Sequence, residues 1–255
     1  MPKGIRILAG GQLACFTRPE MKVERVSYDV ITPSAARGLL EAIYWKPQFR
    51  WQIDKIHVLK PVRFTSIRRN EVASKATVSG VKDAMAGRPA SLGIEIDSES
   101  MRKQRASLVL RDVLYGIEAS IVIREHRFTK GGPKLSEHEC AGKHLAQFER
   151  RARSGGHFQQ PYFGTREFPA DCDWVEANQP FPDTEFERDL PHELGWMLHD
   201  MDFSETSEKK GSFIESNRGR RVKAEPIFYR ARIEDGGVIN VRKCLAESNH
   251  MGDQA

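Results

Sequence analysis

Residues 32–47, Thr-Pro-Ser-Ala-Ala-Arg-Gly-Leu-Leu-Glu-Ala-Ile-Tyr-Trp-Lys-Pro, carry the reading that decides the fold. Thr32 offers a hydroxyl for an N-cap, and Pro33 takes the first helical position, where its missing N–H costs nothing. Ala35, Leu39 and Ala42 line one face with Ala36, Leu40 and Ile43 beside it, the spacing of an amphipathic helix. Lys46-Pro47 ends the run, because a residue before proline is pushed out of helical backbone. The stretch predicts a helix with Tyr44 and Trp45 at its C-terminal end.

The flanks make this helix the first crossover of a layer. Residues 5–16 read as a strand kinked at Gly10-Gly11, and Phe49–Lys60 and Val62–Arg68 resume strand character around Pro61. Residues 79–104 hold glycines, a proline and mixed charges, and are expected to form an exposed excursion. Ser107–Tyr115 and Ile117–Arg124 alternate and are β-rich, which predicts a hairpin or strand pair. Ser136-Glu137-His138-Glu139 is a capping box opening a second helix that runs to about Arg153 and stops at Gly155-Gly156. A turn and short strand follow at Pro161–Pro169. Weak strands are expected around Gly195–His199 and Glu225–Ile233, and a disordered tail at 246–255. Strand, helix, strands, helix, strand predicts an α+β chain. The order is compatible with a ferredoxin-like, RNA-recognition-motif-type domain over 1–170 and a small antiparallel β domain over 171–245.

Composition narrows the class. The 255 residues are 39% hydrophobic and 29% charged, enough apolar side chains for a core and against wholesale disorder. No run approaches the ~18 apolar residues of a membrane span, so no membrane is expected. Residues 1–10 show no signal-peptide pattern. Cys15, Cys140, Cys172 and Cys244 are far apart and read as reduced thiols, which predicts a cytoplasmic protein. Cys140 and His144 stand one turn apart, but no second ligand pair accompanies them, so neither metal nor cofactor is expected. Residues 1–170 carry 29 Lys and Arg against 17 Asp and Glu, whereas 171–255 carry 11 against 18. A basic body with an acidic last third suits a polyanionic partner, and equally an ordinary solvated surface.

Two places combine chemically able side chains: Tyr44-Trp45-Lys46 at the end of the first helix, and Lys143-His144 on the second, followed by Arg150, Arg151 and Arg153. In a ferredoxin-like layer both helices pack on one sheet face, so the two places can meet. Tyrosine, lysine and histidine together can cleave RNA without a metal. One group takes the ribose 2′-hydroxyl proton, one protonates the departing 5′-oxygen, and a cation holds the charge gathering on phosphorus. The plainer reading is a core tyrosine with its hydroxyl at the surface and a solvated Lys-His pair. Pattern alone leaves both open.

A longer series of words decides further. Phe16-Thr17-Arg18-Pro19-Glu20, Val26-Ser27-Tyr28, Thr32 to Gly38, Glu41 to Pro47 and Ile67-Arg68-Arg69-Asn70-Glu71 strongly resemble the CRISPR-associated Cas-five family of subtype I-C, the d variant. Gln104-Arg105, Leu110 to Val113, Gly142-Lys143-His144 and Phe163 to Phe168 resemble it too, closely over about 4–170 and loosely beyond. The resemblance implies an endoribonuclease that cuts CRISPR precursor RNA within the repeat, at the base of the hairpin. It would then stay on the 5′ handle of the mature guide RNA, among the other subunits of the type I-C surveillance complex and, through it, near DNA. The family's catalytic tyrosine, lysine and histidine match Tyr44, Lys143 and His144. Arg18, Lys22, Arg25, Arg68, Arg69 and Arg105 are then candidates for RNA backbone contacts. Trp45 is a candidate to stack on a base, a core role being the alternative. Arg166, beside Gly164, is a candidate to meet a phosphate where a glycine allows close approach, or else to pair with Glu167. Rival readings are a non-catalytic scaffold capping the guide 5′ end and a metal-dependent nuclease acting on DNA. The latter is disfavoured because the basic body has no compact Asp/Glu cluster.

Overall fold

The computed structural model describes residues 4–21, 23–89, 92–93, 101–186, 191–214 and 219–252. Strand β1 spans Ile5–Ala14, with Ile5, Ile7 and Ala9 turned into the core at alternate positions. Helix α1, Pro33–Ile43, starts where Thr32 Oγ1 accepts from Ala35 N at 3.2 Å. It ends at Tyr44, whose backbone is already extended (φ −153°) while its N–H still donates to Leu40 O. Strands β2 (Phe49–Val58) and β3 (Phe64–Val72) follow. Helix α2, Val78–Met85, buries no side chain.

Strand β4, Arg102–Ile123, organises the sheet. Its first half pairs with β3 and its second with β2, while β1 runs antiparallel along residues 110–119. The hairpin expected around Gly116 is therefore one continuous 22-residue strand. Gly116 makes room instead of a turn: a Cβ there would stand 2.9 Å from the Phe181 ring. At Gly10-Gly11, where a kink is expected, β1 carries no bulge and keeps one register against β4 from Ile5↔Ala119 to Ala14↔Leu110.

Helix α3, Glu137–Arg153, opens with the predicted capping box, Ser136 Oγ accepting from Glu139 N and Glu139 Oε2 accepting from Ser136 N. Strand β5, Asp171–Trp174, then pairs antiparallel with β1. The first strand past residue 170 thus extends the first sheet instead of opening a separate unit. Strands β6 (His192–Glu205), β7 (Ser212–Ile214) and β8 (Arg221–Ile233) form a second, three-stranded antiparallel sheet ordered β6-β8-β7. The chain returns to the first sheet through β9, Val238–Asn240, on the free edge of β2. Helix α4, Val241–Gly252, packs on β8 and β2. A disordered tail is expected over 246–255, of which 253–255 lie outside the described residues. Buried Val241, Cys244 and Ser248 anchor a helix there, Ser248 Oγ donating to Cys244 O and accepting from Arg230 N.

The main path of the first sheet is β5-β1-β4-β2-β9, antiparallel throughout. The core sits between this sheet and helices α1 and α3, with Leu39, Leu40 and Ile43 from α1, Ala141 and Phe148 from α3, and Trp51 and Ile53 from β2. The architecture is mixed α and β, and no described helix is long and apolar enough to cross a membrane.

Candidate active site

Two helix positions distant in sequence meet over the start of β2. The C-cap of α1 places Tyr44, and the second turn of α3 places His144; the Tyr44 hydroxyl lies 2.9 Å from His144 Nδ1. Phe49 joins the two rings, stacked on Tyr44 at 5.7 Å and tilted against His144 at 4.7 Å. Trp51 Nε1 donates to the Tyr44 carbonyl at 3.0 Å, which holds the turn between helix and strand. Phe128, on the segment between β4 and α3, covers the other side of His144 at 4.9 Å.

The pair is enclosed: Tyr44 and His144 are each 1% exposed. Burial pushes the Tyr44 hydroxyl up to about 12, with the Arg151 cation opposing it. Burial likewise pushes the His144 imidazole down to about 4, and the charge of Lys46 adds to that fall. At neutral pH the pair is a phenol and a neutral imidazole joined by one hydrogen bond. His144 Nε2 is buried and makes no hydrogen bond.

Lys143 does not join them. It is exposed, and its charge acts on Cys140 and Glu139, the preceding turn of α3. Two other cations act on the pair, Arg151 and Lys46, which the sequence reading names beside the candidates without giving either a catalytic role. Arg151 sets its guanidinium 5.3 Å over the Tyr44 ring and donates from Nη1 to Ile43 O at 3.0 Å. Lys46 reaches His144 electrostatically from just past the helix end. Signals for both existed. Arg151 stands seven residues after His144, two turns along the same helix face, and Lys46 stands two residues after Tyr44.

The remaining candidates scatter. Trp45 is 54% exposed, which rules out the core role and leaves its ring open to stacking. Arg68 is exposed on β3, while its neighbour Arg69 faces Arg105 across the ladder and is held by Glu71 and Glu167. Arg18 pairs with Asp29 at 3.2 Å above the Tyr28 ring, and Arg25 lies 3.9 Å from Glu71. Lys22 lies outside the described residues. Arg166 and Gly164 are both exposed, and a Cβ at 164 would stand 2.0 Å from the Cys15 carbonyl oxygen. That glycine, at φ +78°, admits the chain's own backbone. Glu167 has Arg69, not Arg166, as its ion-pair partner. Among the described residues no three His, Cys, Asp or Glu side chains gather as a metal site.

The chain resembles known proteins over most of its length. A family model for CRISPR-associated protein (Cas_Cas5) matches residues 4–242. The chain is 46% identical over 252 residues to the CRISPR pre-crRNA endoribonuclease Cas5d of Mannheimia succiniciproducens, covering 97% of this chain and 98% of that one. It is 41% identical over 234 residues to the protein of the same name from Thermus thermophilus, covering 91% and 89%. Two solved structures share the fold. One is a CRISPR-associated protein (TM-score 0.56, 22% identity, 93% and 91% covered), the other the functionally uncharacterized SMU1763c from Streptococcus mutans (0.57, 20%, 95% and 95%).

Proposed function

The chain belongs to the CRISPR-associated Cas5 family, and on that footing we propose that it is an endoribonuclease cutting CRISPR precursor RNA within the repeat, at the base of the hairpin. The observation that carries the reading is the hydrogen bond between Tyr44 and His144 across 100 residues of sequence. A proton-transfer pair of this kind suits attack by the ribose 2′-hydroxyl, without a metal. As that hydroxyl approaches phosphorus, its proton passes to Tyr44 Oη while the tyrosine proton passes to His144 Nδ1. A hydroxyl held near 12 is a poor standing base, so a relay fits better than a tyrosinate. The P–O5′ bond breaks, and the proton returns from the imidazolium to the departing 5′-oxygen. A group with so low a pKa surrenders it readily. Lys46, Arg151 and, from the exposed side of α3, Lys143 supply positive charge for the phosphorane. The products are a 2′,3′-cyclic phosphate and a 5′-hydroxyl.

The rest of the reading follows the same family. We assign the first sheet to the ferredoxin-like class, which the order β5-β1-β4-β2 beneath α1 and α3 supports. The second sheet is the small C-terminal β unit. Arg18, Lys22, Arg25, Arg68, Arg69, Arg105 and Arg166 are assigned to RNA backbone contacts, and Trp45 to stacking. After cutting, the protein stays on the 5′ handle of the guide RNA with the other subunits of a type I-C surveillance complex. Four free cysteines suit the reducing cytoplasm.

One observation favours the rival scaffold reading. The Tyr44–His144 pair is as buried as an ordinary core polar pair. Incubating purified protein with its repeat RNA and excess EDTA decides. Cutting at one position supports the nuclease, whereas intact RNA that remains bound supports the scaffold.

A further inference from the structure

A cavity of about 550 Å³ opens at the other end of α1, where Pro33, β2, the end of β4, β6, β8 and α4 meet. Four of its lining residues are arginines, Arg37, Arg50, Arg124 and Arg242, and the one lining carboxylate is Asp200. Asp200 is 5% exposed and already saturated: it accepts from Arg37 at 2.6 Å, from Arg50 and from Met201 N at 2.8 Å. Glu41 and Asp54 reach Arg37 and Arg242 from outside the lining. His199 adds no negative charge, and burial lowers its pKa.

Two buried polar atoms of this lining, Arg37 Nε and His199 Nδ1, make no hydrogen bond, a deficit that a polar occupant would relieve. The remaining wall is mostly apolar, with Val122 and Ile227 partly open and Trp51 buried, and Gln52 and Asn249 add two polar amides. Guanidiniums around an apolar wall suit a ligand with a charged end and a flat body. An acidic side chain would bring only the first.

The cavity is also tied to the cutting site. Trp51 lines it and donates to the Tyr44 carbonyl. The eleven residues of α1 span about 16 Å between Pro33 and Tyr44.

We propose that this cavity is a subsite for one unstacked nucleotide of the RNA, its phosphate on Arg50 and Arg242 and its base against the Val122–Ile227 wall. The inference rests on the RNA-cutting reading above. Val122→Trp fills the cavity from an exposed position and leaves every charge in place. Repeat RNA is titrated into protein carrying His144→Ala, with and without Val122→Trp, using intact RNA and a scan of single abasic positions. The expected result is a Kd raised on the order of tenfold by Val122→Trp. One abasic position should weaken the parent and leave the filled variant unchanged. A Kd within twofold and identical scans in both proteins overturn the subsite. Should Val122→Trp fail to fold, phenylglyoxal modification mapped by mass spectrometry reads the same question. Repeat RNA should protect Arg50 and Arg242, and unprotected arginines overturn the proposal. Protection by poly-glutamate but not by RNA would also overturn it, assigning the cavity to an acidic protein segment. Failure of the unsubstituted protein to cut repeat RNA defeats the nuclease reading alone, because the binding comparison needs no cleavage.

Discussion

Tyr44 and His144 share a hydrogen bond of 2.9 Å inside a box of aromatic rings, with a guanidinium above the tyrosine. The bond exists because one helix ends where the other begins its second turn, both resting on the first residues of β2. Neither side chain is charged at neutral pH, and neither is open to solvent.

His144→Ala removes the proton acceptor. Cleavage of repeat RNA under single-turnover conditions should slow roughly 10²–10⁴-fold, while binding stays within a few-fold. The substitution also strands the buried Tyr44 hydroxyl, worth about 1–3 kcal/mol, so melting curves belong with the kinetics.

Acid should destabilise the protein through the same residue. The folded pKa of His144, about 4, lies below its unfolded value of about 6.5, so between those values the unfolded chain binds more protons. The contribution is complete above pH 6.5 and is lost as pH falls toward 4, at no more than about 1.4 kcal/mol per unit. Thermal melts across this window should fall less steeply for His144→Ala than for the unsubstituted protein. Parallel curves would show that His144 does not titrate abnormally.

Lys46 and Lys143 should separate by histidine NMR titration. Removing a cation that lowers a pKa raises it, so Lys46→Ala should move the His144 titration upward. Lys143→Ala, whose charge acts on Glu139 and Cys140, should move it less. The reverse order would place Lys143, not Lys46, against the imidazole.

Arg151 holds Tyr44 by its ring and by the Ile43 carbonyl. Arg151→Met should slow cleavage by about tenfold, near 1.4 kcal/mol, and Arg151→Lys should recover part of it, because the charge returns without the planar fork. Equal rates for all three proteins would leave Arg151 a surface residue.

Trp45 is exposed, so Trp45→Ala should leave the melting temperature unchanged and weaken repeat RNA binding by about 1–3 kcal/mol. A drop in stability without a change in affinity would return Trp45 to packing.

The helices were legible because their ends are local chemistry: Thr32-Pro33 and the Ser136–Glu139 box both cap as their residues require. Tyr44 and His144 were legible as candidates, but their hydrogen bond was not, since it depends on the tilt of two helices on one sheet. Gly116 misled because a glycine amid alternating residues reads as a turn, while the Phe181 ring it accommodates lies 65 residues away. Lys143 drew attention by adjacency to His144, yet neighbours on a helix diverge by about 100°, and a residue two turns on shares the face. Residues 246–252 misled because their polar sequence hides that Ser248 continues the stripe of Val241 and Cys244 that α4 buries.

The central claim is that the Tyr44–His144 relay activates an oxygen of the RNA itself, and a single substrate atom tests it. Repeat RNA carrying one 2′-deoxy sugar immediately 5′ of the cut keeps its hairpin and its phosphates. Incubated with the protein in EDTA, it should bind with unchanged Kd and remain intact, while the all-ribose RNA yields a 2′,3′-cyclic phosphate and a 5′-hydroxyl. Cleavage of the deoxy RNA at an undiminished rate, or a 5′-phosphate on the downstream product, would contradict the relay and require an activated water.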